Sequence, residues 1–114
     1  MVSDYYNGML VTIPIHRRCL SRTINLASLH EMLSAHYEHA HFVKVMPLSA
    51  EAETGGFLAA NPLAGTNEMR LYVCGNDDRM TVTAQFDNLG KGASGAAVQC
   101  LNLMLGIDEA TGLE

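Results

Sequence analysis

Asp87-Asn88-Leu89-Gly90-Lys91-Gly92-Ala93-Ser94-Gly95 joins two segments of opposite periodicity. Before it, Met80-Thr81-Val82-Thr83-Ala84-Gln85-Phe86 sets Met80, Val82, Ala84 and Phe86 on one side, the period of two of a half-buried strand. After it, Ala93, Ala96, Ala97, Cys100, Leu101, Met104 and Leu105 recur at three- and four-residue intervals, one stripe of an α-helix. Gly106 is placed to end that helix. A strand running into a helix through Gly90, Gly92, Gly95 and Lys91 offers backbone N–H groups and the positive end of a helix dipole. An anion or a carbonyl oxygen fits such a place, and glycine lets a backbone or a flat ring approach closely.

Gly90-x-Gly92-x-x-Gly95 formally matches the dinucleotide-binding fingerprint. That fold also needs a second parallel strand and an acidic residue about 20 residues further on, and the sequence ends at Glu114. The match is therefore weak, and the lack of a correctly spaced Gly-Lys-Ser/Thr argues against a P-loop. The plainer alternative is that glycines and alanines let the helix pack closely on a sheet.

A chain of 114 residues is read as one domain, residues 1–114, with room for a core but little to spare. Hydrophobic residues at 48% and charged ones at 17% suit a globular protein. A net charge of −5 argues against nucleic acid or an anionic membrane as a general partner. No apolar run approaches the ~18 residues of a membrane span, and no secretory signal opens the chain. Cys19, Cys74 and Cys100 are odd in number and far apart, which reads as thiols in a reducing cytoplasm.

Outward from the join, Gly8 to His16 reads as a strand with Met9, Val11, Ile13 and Ile15 on one side, and Met1 to Asn7 as an entry loop. Pro14 lacks a donor and calls for an edge or a bulge. Arg17-Arg18 reads as a solvated turn, with a carboxylate site as the sharper alternative. Asn25 to His39 reads as the first helix, capped by Asn25, with Leu26, Leu29, Leu33 and Tyr37 as its stripe. His30, His36, His39 and His41 invite a metal, but Ser34 stands where the zincin pattern wants its second histidine, and no cysteine is near. Solvated histidines at a helix end are the favoured reading.

Phe42 to Val45 reads as a short strand, and 46–67 as a long loop of the kind that serves function or an interface. Its acidic residues Glu51 and Glu53, with Glu68 just beyond, show no paired-carboxylate geometry. Met69 to Cys74 and Arg79 to Phe86, across Gly75-Asn76-Asp77-Asp78, give a β-hairpin. Cys74 is read as a small hydrophobe on it, not a nucleophile. The expected fold class is α+β, an open, mostly antiparallel or mixed sheet with helices on one face. Its uncovered face is expected to meet another copy or another domain.

The run from Asp87 to Gln99, continued by Leu101-Asn102-Leu103-Met104-Leu105-Gly106, closely resembles the C-terminal end of N-acetyl-gamma-glutamyl-phosphate reductases. Tyr6 to Pro14 and Gly65-Thr66-Asn67 resemble the shorter-chain subgroup of that family, which is related to aspartate-semialdehyde and glyceraldehyde-phosphate dehydrogenases. The resemblance implies a glyceraldehyde-phosphate dehydrogenase-like C-terminal domain of a two-domain, NADPH-dependent enzyme of arginine biosynthesis. In that family an N-terminal Rossmann domain binds the cofactor, a cysteine forms a thioester with the acyl phosphate, and a histidine does acid–base work. None of the three cysteines or five histidines here lies in the family's catalytic context, so the resemblance implies no catalytic residue and an excised C-terminal piece, inactive alone.

What carries over is Asn88, at the position of the asparagine beside the nicotinamide carboxamide, with Gly90, Lys91 and Gly92 lining the same cleft and Lys91 turned toward phosphate. NADP is expected to bind the full-length enzyme and not this piece. The last helix packs on the cofactor domain in the family. Here its stripe is expected to drive self-association or to leave the helix displaced. A homo-oligomer is implied, as is a cytoplasmic location. A stand-alone, non-enzymatic dimerisation or binding module is the competing reading.

Overall fold

The computed structural model describes residues 4–50 and 54–113. The ends of the entry loop (residues 1–3) and Glu51 and Glu53 of the long loop lie outside them. Four strands, β1 (Met9–His16), β2 (Val43–Val45), β3 (Met69–Gly75) and β4 (Arg79–Phe86), form a sheet in the order β1-β4-β3-β2. β4 runs antiparallel to both β1 and β3, and β2 pairs parallel with β3. Among the described residues the long α-helices are α1 (Leu26–His36) and α2 (Gly95–Leu105). The fold is the α+β open mixed sheet that the alternating runs imply. β1 lies at an edge, which accommodates the missing donor of Pro14.

Register decides which side chains share a face. Ile15, Met80 and Gly75 stand in line across β1, β4 and β3, as do Ile13, Val82 and Val73. α1 lies over that end of the face. Leu29, Val73 and Met80 form the core there, with Ile15, Leu20, Ile24, Leu26, Leu33 and Val82 packed round them. Asn25 caps α1 as read: its side chain accepts from the Ser28 N–H at 2.8 Å, and Ser28 Oγ accepts from the Asn25 N–H at 2.9 Å. The Leu26 N–H donates to Asp77 at 3.0 Å, tying the helix start to the β3–β4 turn. The helix stops three residues before His39. Tyr37 leaves the helical region at φ −102°, ψ 11°, and the Ala40 N–H turns back to the Tyr37 carbonyl at 3.0 Å.

The opposite face carries Leu10, Thr12, Tyr72, Cys74, Thr81 and Thr83, and the long loop folds over part of it. Gln85 is buried there, donating to the Ala59 carbonyl at 2.6 Å and accepting from the Tyr72 hydroxyl at 3.2 Å. Ala50 and Leu63 are buried within the loop, so it is a packed cover and not a free strand of chain. A shallow cavity of about 180 Å³ remains between Phe57, Leu58 and the threonines.

α2 behaves differently. Its stripe does not rest on the strands: Val98, Leu101, Leu103, Met104, Leu105 and then Ile107 stay exposed, and only Gly95 and Asn102 of the helix are buried. A polar set holds it. Asn102 Nδ2 donates to the carbonyls of Glu109 and Thr111 at 3.1 and 2.9 Å, and Asn67 Nδ2 donates to that of Leu113 at 2.8 Å. The segment so gripped places Ala110 and Leu113 against Phe42 in a second, small core. Gly106 ends the helix in the left-handed region (φ +69°), as its sequence position requires.

Candidate functional site

The join between β4 and α2 draws together parts of the chain that are far apart in sequence. The β1–β4 ladder closes at Met9–Phe86, so the next facing positions are Gly8 with Asp87 and Asn7 with Asn88. Side chains continue the pairing. Asn7 Nδ2 donates to Asp87 Oδ2 at 3.0 Å, and the Gly8 N–H donates to Asn88 Oδ1 at 2.7 Å. The Gly65 N–H of the long loop reaches the same Asp87 oxygen at 2.5 Å. Asp87 Oδ1 accepts from the Leu89 and Gly90 N–H groups, both at 2.7 Å.

Asp87 is 1% exposed and holds four donors. The Gly65 N–H, then that of Gly90, with help from Asn7 and Leu89, pulls its pKa from 3.8 down to about 2, against the opposing cost of burial. It therefore stays ionised throughout the working pH range.

The anion place expected at the join is thus already taken, and by the chain itself. Leu89 and Gly90 spend their N–H groups on the Asp87 carboxylate, Gly92 its own on the Asp87 carbonyl at 2.8 Å, and Ser94 its own on the Leu89 carbonyl at 3.1 Å. The first turn is π-helical, Gly90–Ser94, before α2 proper begins. Close packing also claims the glycines. A Cβ on Gly92 would sit 2.9 Å from the Phe86 ring, and one on Gly95 would overlap Asn67 Oδ1. Gly92 thus packs on Phe86 of the sheet and Gly95 on Asn67 of the long loop, so the plainer reading, a helix packed closely on a sheet, holds at Gly92 and not at Gly95.

Lys91 is drawn away from the join. Its ammonium donates to Gln99 Oε1 and stands 5.3 Å over the Phe42 ring. Gln99 in turn donates to Glu109 at 2.6 Å. Burial lowers the Lys91 pKa, and the Glu109 charge opposes that shift. Of Asn88, Gly90, Lys91 and Gly92, the structure brings the first, second and fourth round Asp87 and turns the third toward the C-terminal segment. Asn88 keeps its Nδ2 group without a hydrogen bond among the described residues. Because a backbone N–H donates to its other end, the oxygen and nitrogen of this amide are assigned by geometry. An NH2 donor suits a carboxamide oxygen, whereas the Leu89, Gly90 and Gly92 N–H groups of the turn are already spent on Asp87.

Asp87 itself, with Asn7 and Gly65, is what the glycine pattern hides. An aspartate two and three residues before the N–H groups it bonds is the usual Asx arrangement, and that was the available signal. The long reach to Asn7 and Gly65 leaves no mark in the sequence. The histidines do not converge. His30 bonds the Met46 carbonyl at 3.0 Å, His36 packs edge-on against Tyr37, and His39 lies 3.9 Å from Glu38. Among the described residues no group of three or more His, Cys, Asp or Glu side chains is placed to hold a metal. None of the three cysteines is in a disulfide, and no described helix is long and apolar enough to cross a membrane.

An open mixed sheet covered by one helix carries an edge strand and a closing helix that both leave apolar residues uncovered. Residues 1–88 match the family model of the semialdehyde dehydrogenase dimerisation domain, and the chain belongs to that family. More particularly, it is similar to N-acetyl-gamma-glutamyl-phosphate reductases. It is 47% identical to that of Burkholderia cenocepacia (strain HI2424), over 93% of this chain and 34% of that protein. It is 43% identical to that of Brucella anthropi, over 92% and 34%. It is 41% identical to N-acetyl-gamma-glutamyl-phosphate reductase 2 of Nostoc sp. (strain PCC 7120), over 98% and 36%. The chain spans about a third of the length of these curated relatives.

Proposed function

We propose that this chain serves as the dimerisation and cleft-wall part of an NADPH-dependent reductase that converts N-acetyl-glutamyl phosphate to its semialdehyde in cytoplasmic arginine biosynthesis. The observation that carries the reading is likeness along almost the whole chain to reductases of that name, joined to a closing helix whose apolar stripe has no home in its own domain. In such an enzyme Asn88 faces the nicotinamide end of the cofactor, with Gly90, Lys91 and Gly92 forming the turn that holds it. The reduced cofactor, NADPH, would supply the hydride when bound. This chain's residues orient it, exclude water and bring the protomers together, while the thiol and the imidazole of the reaction come from elsewhere in the parent protein. α2 docks on the cofactor-binding N-terminal domain, so 25 cal/mol per Å² of apolar surface, as an order of magnitude, is recovered there and not within this domain. The exposed Met9, Val11 and Ile13 of β1 supply surface for the protomer or domain contact.

A non-enzymatic association module is the second reading, favoured by the dimerisation-domain match itself. The test grafts residues 1–113 into the Burkholderia cenocepacia reductase in place of its corresponding segment. The chimera is expected to oxidise NADPH with the acyl phosphate, and the 114-residue chain alone is expected not to. A folded chimera without activity would remove the reductase reading and leave the module.

A further inference from the structure

On the reading that α2 docks on a second domain, we infer that Asn67 is a positioning residue for that helix. Its amide fixes the angle at which α2 leaves the sheet, and so aims the exposed stripe at the partner domain.

Gly65-Thr66-Asn67 follows the start of α2 residue by residue. The Gly65 N–H donates to Asp87 Oδ2. The Thr66 carbonyl oxygen would lie 2.8 Å from a Cβ on Gly90, and Asn67 Oδ1 fills the place that a Cβ on Gly95 would take. Two residues on, the Met69 N–H donates to the Phe42 carbonyl at 2.7 Å, where β3 begins its pairing with β2. The three residues are therefore a rail fixed to the sheet, and the helix rests on it through glycines.

Asn67 does more than fill space. Its Nδ2 donates to the Leu113 carbonyl at 2.8 Å, which fixes the sense of the amide and turns Oδ1 toward Gly95. Oδ1 is buried there without a hydrogen-bond partner among the described residues, the Gly95 N–H being directed to the Gly90 carbonyl. A buried acceptor without a donor is unfavourable, and an apolar side chain would fill the space without that penalty. What an apolar side chain lacks is the grip on Leu113. Leu113 ends the segment that Asn102 holds by the Glu109 and Thr111 carbonyls and that rests on Phe42. One amide thus presses on the first turn of α2 and ties down the strap that crosses its middle. From Gly95 the helix runs about 15 Å to Leu105, so a tilt at its start is carried, enlarged, to the far end. Leu101, Met104 and Leu105, all exposed, lie along that lever.

Direction and stability are measured separately on the 15N-labelled 114-residue chain. Residual dipolar couplings of the α2 amides, taken against those of β3 and β4, report where the helix points. In Asn67→Ala the sheet couplings are expected to stay native while those of α2 no longer fit the native orientation. Asn67→Ser, shorter but still polar, carries the same measurement should Asn67→Ala not fold. Gly95→Ala is expected to turn α2 as well and to lower the folding equilibrium constant about tenfold, the order of an overpacked contact. In the Asn67→Ala or Asn67→Ser background the same substitution is expected to lower that constant by less than about twofold, since the obstacle is gone and a helix prefers alanine to glycine. A residue that only added stability would give no such rescue. Native α2 couplings in a folded Asn67→Ala or Asn67→Ser chain would overturn the inference. So would a Gly95→Ala chain with native couplings and native stability, or an equal loss from Gly95→Ala with and without Asn67. All of these concern the chain alone, so an inactive chimera would remove the reductase reading and leave the hold of Asn67 on α2 standing.

Discussion

Met80 on β4 is 1% exposed and Met104 on α2 is 85% exposed, though both belong to regular apolar stripes. In the sheet, register lines Met80 up with Ile15 and Gly75, and α1 closes over the row with Leu29. In the closing helix an equally regular stripe faces outward, and the helix is kept in place by Asn67 and Asn102 gripping main-chain carbonyls of the segment beyond it. The contrast teaches that an apolar stripe states the need for a partner without saying which. β4 meets its own inside the domain. α2 spends its buried positions, Gly95 and Asn102, on attachment and keeps the apolar ones for something else. The family match ends at residue 88, before α2 begins, which is consistent with the helix serving a different contact from the sheet.

The contrast breaks most easily at the two methionines. Met80→Ala is expected to cost about 2–4 kcal/mol in urea unfolding of the chain, through lost burial and the cavity left between Ile15, Leu29 and Val73. A loss under about 1 kcal/mol would mean that the core does not depend on this row.

Between the two regions stands the Asp87 clamp, and acid probes it. Its folded pKa of about 2 lies below the unfolded 3.8, so its contribution is fully present above about pH 4 and is lost as pH falls toward 2. The size expected is about 2 kcal/mol, the lowering of its pKa converted at about 1.4 kcal/mol per unit. Urea midpoints of the native chain should fall through that window and those of Asp87→Asn should fall less. Parallel curves would show that the carboxylate is not held as described.

Met104→Ala, the smallest effect, is expected to change the stability of the isolated chain by less than about 0.5 kcal/mol, as an exposed position should. Sedimentation of the same variant sharpens the comparison. If the stripe drives self-association, the variant should associate more weakly while unfolding at the native urea concentration.

Much of this was legible in advance, for reasons that differ by element. The alternation in Met69–Gly75 and Arg79–Phe86, the Asn25 cap and the Gly106 stop are local, and local patterns survive into the fold because they rest on backbone geometry and short-range hydrogen bonds. Of the candidate site, Asn88, Gly90 and Gly92 were marked by their place between strand and helix. Lys91 was marked as well, but its direction was decided by Phe42 and Gln99, 49 residues before it and eight after, as the numbering shows. The anion place was legible as a set of donors and illegible as a filled one.

From the residues alone came the order of elements, the edge character of the Pro14 strand, the join as the place of interest, and the kinship of the chain. Those depend on spacing along the backbone. Only the folded molecule decided that β2 runs parallel to β3, that the long loop is a packed cover, and that Asp87 closes the turn on Asn7 and Gly65. Each of these is a meeting of segments remote in sequence, where burial and donor satisfaction act through space and leave no period to be read.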